Sequence, residues 1–199
     1  MLIAFEGLDQ SGKETQARRL AESLRADGRR VESLSFPDYS TPIGREIGAA
    51  LKGDRDFGPD VMQLLYIANR YEKKPLILEW LKAGADVVCD RYVASSIAYG
   101  ESLELDASWL TETQQHLPQP DLTIVLDIAP ETAVARKRAG RDRYERDLAL
   151  LARVRESYRR QAQQANWALV SGEQPMEAIA EQIRELVRRP EFVVRRPEL

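Results

Sequence analysis

Apolar residues along this chain come in short bursts. Runs at 2–6, 30–36, 85–89, 122–127 and 167–171 each carry a few Val, Ile, Leu or Phe residues and then break off. Runs this short predict strands rather than helices. Between them the apolar positions recur every three or four residues, which predicts helices around 14–27, 43–52, 59–83, 92–115, 131–138, 145–165 and 176–188. Strands alternating with helices, and strands this apolar, predict a parallel sheet covered on both faces. Gly28 and Gly84 stand where two helices are expected to end. A chain of 199 residues with no internal repeat reads as one domain with a substantial core.

Charge and cysteine usage narrow the function classes. Lys and Arg number 29 and Asp and Glu 32, for a net charge of −3, which argues for neither nucleic acid nor a membrane surface as a partner. No apolar run reaches 18 residues, so no membrane-spanning helix is expected. The first strand is expected to begin at residue 2, so no signal peptide is expected. The single cysteine, Cys89, lies in an apolar run and reads as a buried, inert thiol. A cytoplasmic protein is the expectation.

The chemistry begins at the first strand. Gly7-Leu8-Asp9-Gln10-Ser11-Gly12-Lys13 joins that strand to a helical pattern. A glycine loop ending in Gly-Lys between strand and helix is built to cradle a polyphosphate. Its amides turn inward, the helix N-terminus adds partial positive charge, and Lys13 adds a full one. The pattern normally closes on Ser or Thr, whose hydroxyl holds Mg²⁺; here Glu14 follows, then Thr15.

Ligands of such sheets bind beyond the C-terminal strand ends. Three unusual clusters fall there: Asp9; Phe36-Pro37-Asp38-Tyr39; and Asp90-Arg91-Tyr92. Asp90 is placed to hold Mg²⁺ through water or to orient Lys13, and Arg91 to grip a phosphate in bidentate fashion. Tyr66 and Arg70 are four apart on one helix face, a ring and a guanidinium suited to stacking on a base and bonding its edge. Arg136-Lys137-Arg138-Ala139-Gly140-Arg141-Asp142-Arg143 gathers five cations around a glycine and reads as a lid over phosphates. His116 has no metal-spaced partner, and Trp80, Trp109 and Trp167 read as packing residues. Ser171-Gly172-Glu173-Gln174 reads as a turn or as a backbone contact for adenine.

Taken together, these segments resemble the thymidylate kinases (dTMP kinases) over nearly the whole chain. The likeness is carried by Phe5-Glu6-Gly7-Leu8-Asp9, Phe36-Pro37, Ala68-Asn69-Arg70-Tyr71-Glu72, Asp90-Arg91-Tyr92 with Ser95 and Tyr99, and Asp142-Arg143-Tyr144-Glu145. It implies an α/β P-loop nucleoside-monophosphate-kinase fold: a five-stranded parallel sheet with helices on both faces and the lid at about 136–145; the residues from about 189 to 199, with Pro190 and Pro197 among charges, read as a polar surface tail. It implies transfer of the γ-phosphoryl group of ATP to dTMP with Mg²⁺, in a homodimer. On the ATP side it implies the loop residues Gly7, Leu8, Asp9, Gln10, Ser11, Gly12, Lys13, Glu14 and Thr15, with Arg136. On the acceptor side it implies Asp9, Phe36, Pro37, Tyr39, Tyr66, Arg70, Arg91, Ser95, Ser96 and Tyr99. Asp9, Lys13, Arg91, Arg141 and Arg143 are the expected catalytic groups, and Glu14 and Asp90 the expected metal ligands. Because Gln10 occupies the loop position where one subgroup carries its catalytic arginine, the resemblance implies that the lid supplies it.

Physical chemistry agrees with these implied roles. Thymine O4 accepts hydrogen bonds and Arg70 can only donate; cytosine's amine would leave a buried donor unpaired, at a cost of about 1–3 kcal/mol. Uracil lacks one methyl group, worth about 0.8 kcal/mol, so dUMP is expected to be rejected only modestly. Two departures stand out: Glu14, and Asp38 near where relatives carry a phosphate-facing arginine. They leave open a kinase for another monophosphate or deoxynucleoside, or a nucleotide-binding protein without turnover.

Overall fold

The computed structural model describes residues 1–136 and 147–189. Of the predicted lid only Arg136 falls within them; Arg141, Arg143 and the tail beyond Arg189 lie outside.

All five predicted strands form: β1 (Leu2–Gly7), β2 (Val31–Ser35), β3 (Asp86–Asp90), β4 (Leu122–Asp127) and β5 (Trp167–Ser171). They pair in parallel in the order β2-β3-β1-β4-β5, which puts β1 at the centre. Around them lie α1 (Lys13–Ala26), α2 (Pro42–Lys52), α3 (Pro59–Lys82), α4 (Val93–Ser102), α5 (Ala107–Glu112), α6 (Pro130–Arg136), α7 (Leu148–Gln161) and α8 (Met176–Arg188).

Alternation along the strands sorts the core into layers. Ile3 and Phe5 of β1 pack with Ala17, Leu20 and Leu24 of α1 and Ile179 and Ile183 of α8. Leu2 and Ala4 face the other way, with Val87 and Cys89 of β3 and Ile77 of α3. On that second face Ala94 and Ala98 of α4 meet Leu151, Val154 and Tyr158 of α7. Glu6 has the parity of Leu2 and Ala4, so a fully buried acid points into the α4–α7 layer.

Gly28 and Gly84 end their helices in the left-handed region, φ 78° and 82°. The next amides, Arg29 and Ala85, donate back to Leu24 and Trp80. That satisfies the last helix carbonyls, as expected for glycine there. Cys89 is buried, and burial pushes its thiol pKa up, which keeps it protonated and inert.

The predicted helix at 92–115 is two helices. Glu104 adopts φ 67° and breaks the run, and the Asp106 carboxylate accepts the Trp109 amide to start α5. Gly100 lets the two halves fold together: a Cβ there would stand 2.4 Å from Leu110 Cδ1.

Candidate active site

The phosphate loop leaves the central strand at Gly7. That glycine has φ 136°, and a Cβ on it would sit 2.5 Å from the Leu126 carbonyl oxygen, so a side chain is excluded twice over. Gln10 and Gly12 also take positive φ, and Gly12 caps α1. The Lys13 ammonium folds back over the loop to the Leu8 carbonyl at 3.3 Å and Asp9 Oδ1 at 3.4 Å. Arg136 donates to Gln10 O at 3.1 Å and to Gly172 O at 2.9 Å, so the first residue of the predicted lid lies against the phosphate loop. The turn at Gly172 packs there too: a Cβ on it would meet Ile128 at 2.7 Å and Ser11 O at 3.1 Å.

Beside the loop opens a cleft with a cavity volume of about 130 Å³. All ten residues that the sequence reading assigns to the acceptor side line it: Asp9, Phe36, Pro37, Tyr39, Tyr66, Arg70, Arg91, Ser95, Ser96 and Tyr99. They come from the β1–α1 loop, the β2–α2 loop, α3, the β3–α4 turn and α4. Leu51, Gln63 and Leu103 complete the lining.

Asp9 joins the two halves. Its Oδ1 pairs with Arg91 at 2.6 Å and with Lys13 at 3.4 Å, and its Oδ2 accepts from the Tyr99 hydroxyl at 3.2 Å. The Arg91 guanidinium lies over the Tyr99 ring, 5.3 Å from its centroid. Burial works against the Asp9 charge, but the Arg91 and Lys13 cations outweigh it and hold the carboxyl well below the usual range. Burial also works against the Arg91 charge, and Asp9 reverses that, so its pKa lies above the ordinary arginine value. For Lys13, burial and then Arg91 lower the pKa against the opposing pull of Asp9 and Asp90.

Arg70, 3% exposed, donates to Ser96 Oγ at 2.7 Å and Gln114 Oε1 at 3.2 Å, while its Nε has no partner among the described residues. Gln114 is held in turn by the carbonyls of Leu110 and Val93. Asp38 does not face the cleft. It pairs with Lys73 at 2.6 Å and bonds Ser40, so the acid that marked a departure in the sequence is neutralised locally. Asp90 bonds Ser35, and its buried Oδ1 has no partner among the described residues, whereas Glu14 is exposed in the first turn of α1. Among the described residues no group of three or more acidic, His or Cys residues is placed to hold a metal ion by itself.

The family model for thymidylate kinase matches residues 5–183 of this chain. The chain belongs to the thymidylate kinase family. It is 37% identical to the human thymidylate kinase over 188 residues, covering 93% of this chain and 88% of that one. The thymidylate kinase of Arabidopsis thaliana is 35% identical, with 94% and 70% covered. A solved thymidylate kinase structure from Candida albicans superposes with a TM-score of 0.81 at 29% identity, over 94% of this chain and 90% of that one.

Family membership leaves some residues of this site to be found by their contacts. Asn69 is fully buried. Its amide accepts the Asp38 N–H at 2.8 Å and donates to Thr41 Oγ1 and Glu72, which ties the Phe36–Pro37 loop to α3. Glu6 and Tyr158 form a second buried group behind Arg91. A charged residue in the apolar run at 2–6 was the signal available for Glu6; Tyr158 carries none, since its spacing on α7 is that of a core residue.

Proposed function

We propose that this chain transfers the γ-phosphoryl group of ATP to dTMP, giving ADP and dTDP, with the ten cleft residues as the acceptor site and the phosphate loop, Lys13 and Arg136 as the donor site. One observation carries this reading: Asp9 bonds both Arg91 and Lys13, so the acceptor cleft and the donor loop meet at a single carboxylate. Two phosphate-bearing ligands held on either side of it come head to head. Phosphoryl transfer asks for alignment and cancelled charge rather than covalent help. Arg91 would grip the acceptor phosphate, Lys13 and the loop amides the donor phosphates, and Arg141 or Arg143 the transferring group. The fixed charge states of Asp9 and Arg91 suit this, because an anionic acceptor needs no general base.

Tyr66 would stack on thymine, Arg70 would donate to O4, Ser96 would sit at the base edge, and Tyr99 would lie under the deoxyribose. Phe36, Pro37 and Tyr39 would close the pocket. Mg²⁺ fits the residues present: Asp90 offers an unpartnered buried oxygen and Glu14 an exposed carboxylate, and phosphate oxygens and water complete such sites. The ion would neutralise charge on the donor phosphates.

A homodimer is part of the proposal. Val61, Leu64 and Leu78 leave apolar side chains exposed along α3, and light scattering should return twice the chain mass. No helix among the described residues is long and apolar enough to cross a membrane; a cytoplasmic location is part of the proposal. A coupled ADP-release assay tests the activity. It should show Mg²⁺-dependent turnover with dTMP, less with dUMP, and little with dCMP or thymidine. Faster turnover with thymidine would move the reading to a deoxynucleoside kinase; ATP binding without turnover on any acceptor would end it.

A further inference from the structure

Four donors converge on the fully buried side chain of Glu6. Its Oε1 accepts the backbone amides of Tyr92 at 2.8 Å and Ser95 at 3.3 Å. Its Oε2 accepts the Ser95 hydroxyl at 2.6 Å and the Tyr158 hydroxyl at 3.1 Å. Those two hydroxyls are 2.9 Å apart, and both lie against Arg91 Nη1, at 3.1 Å for Ser95 and 3.4 Å for Tyr158.

The direction of these bonds matters. A hydroxyl has one proton and lone pairs. Each hydroxyl spends its one proton on Glu6 or on the other hydroxyl, so each oxygen keeps a lone pair for a guanidinium that can only donate. The other Glu6 oxygen works on the backbone. Arg91 takes φ 62°, a left-handed conformation that is unfavourable for a non-glycine residue and persists only where surrounding contacts over-determine it. The two amides that Oε1 holds belong to Tyr92, which follows Arg91 directly, and to Ser95 in the first turn of α4, which lacks a side-chain cap of its own. Glu6 is the cap, reaching across from the central strand.

We propose that Glu6 and Tyr158 are positioning residues for Arg91. One acid fixes the backbone turn that launches the arginine, and through two oriented hydroxyls it fixes the guanidinium itself. The inference rests on the acceptor-site reading of Arg91. It places part of the dTMP site on α7, where no residue lines the cleft.

The test is a double-mutant cycle between Y158F and R91K, read as kcat/KM for dTMP and KM for ATP, with dTMP binding by calorimetry alongside. Removing one oxygen that accepts from a charged donor should lower kcat/KM for dTMP about tenfold, with KM for ATP unchanged. On the R91K background the same change should cost less than about twofold, because there is no longer a fork to orient. E6Q should cost at least as much as Y158F, since a glutamine amide turns a donor toward the hydroxyls and reverses their polarity. A Y158F enzyme within twofold of the parent, or an equal loss in both backgrounds, overturns the proposal. Should R91K alone leave dTMP binding untouched, the assignment of Arg91 to the acceptor phosphate fails instead.

Discussion

Arg70 owes its value to what it cannot do. It is buried, its pKa is lowered chiefly by that burial, and every hydrogen bond it makes is one it donates. Replacing it with leucine should lower kcat/KM for dTMP by about 10–100-fold and shrink the preference over dCMP by about 1–3 kcal/mol, measured on both nucleotides. Part of the cleft was legible from residue type and position, because Asp9, Phe36 and Arg91 follow strand ends and Tyr66 and Arg70 share a helix face; Ser95, Ser96 and Tyr99 came only from the resemblance to the family. What holds them was not legible. Gln63 lies one turn before Tyr66 and reads as an ordinary polar position, yet it is buried with its Oε1 unpartnered among the described residues. Glu6 looks like a strand residue until the helices that cover it are in place. Contacts between segments some 90–150 residues apart leave no mark on local spacing.

At the level of elements, the loop after β2 is held by two devices. Asn69 satisfies it from α3, and Gly44 lets α2 approach it: a Cβ on Gly44 would fall 1.8 Å from the Asp38 carbonyl oxygen and 2.8 Å from Tyr39 Cα. Neither partner is a flexible side chain, so G44A must move backbone. It should destabilise the protein by about 1–3 kcal/mol in a denaturant titration and raise KM for dTMP more than KM for ATP. N69A strips the Asp38 amide of its acceptor in a buried place; a loss of about 1–3 kcal/mol is expected, with the same bias against dTMP. Strand positions and most helix limits followed from the apolar pattern. The break within 92–115 did not, because it depends on a left-handed Glu104 and on α5 folding back over Gly100, and neither residue type announces it.

For the molecule as a whole, pH is the broadest probe. The Lys73 ammonium and the Ser40 hydroxyl hold the Asp38 carboxyl down to about 2, below its ordinary value of 3.8. A carboxyl whose pKa is lower in the folded state stabilises the fold above the ordinary value and loses that contribution as pH falls toward the folded one. D38N should therefore melt below the parent at pH 5, and the gap should close as pH drops from about 4 to about 2 in a series of thermal melts. Assembly order follows from the sheet. Its middle strand is the first made, and its two hydrogen-bonded neighbours begin at Asp86 and Leu122. As the chain leaves the ribosome, that strand waits with both edges open until β3 has emerged, and with one edge open until β4 ends at Asp127, more than a hundred residues after Gly7, a stretch in which misassociation competes. Nascent chains halted short of β4 should be protease-sensitive and engage chaperones, whereas those extended past β5 and α8 should be protected.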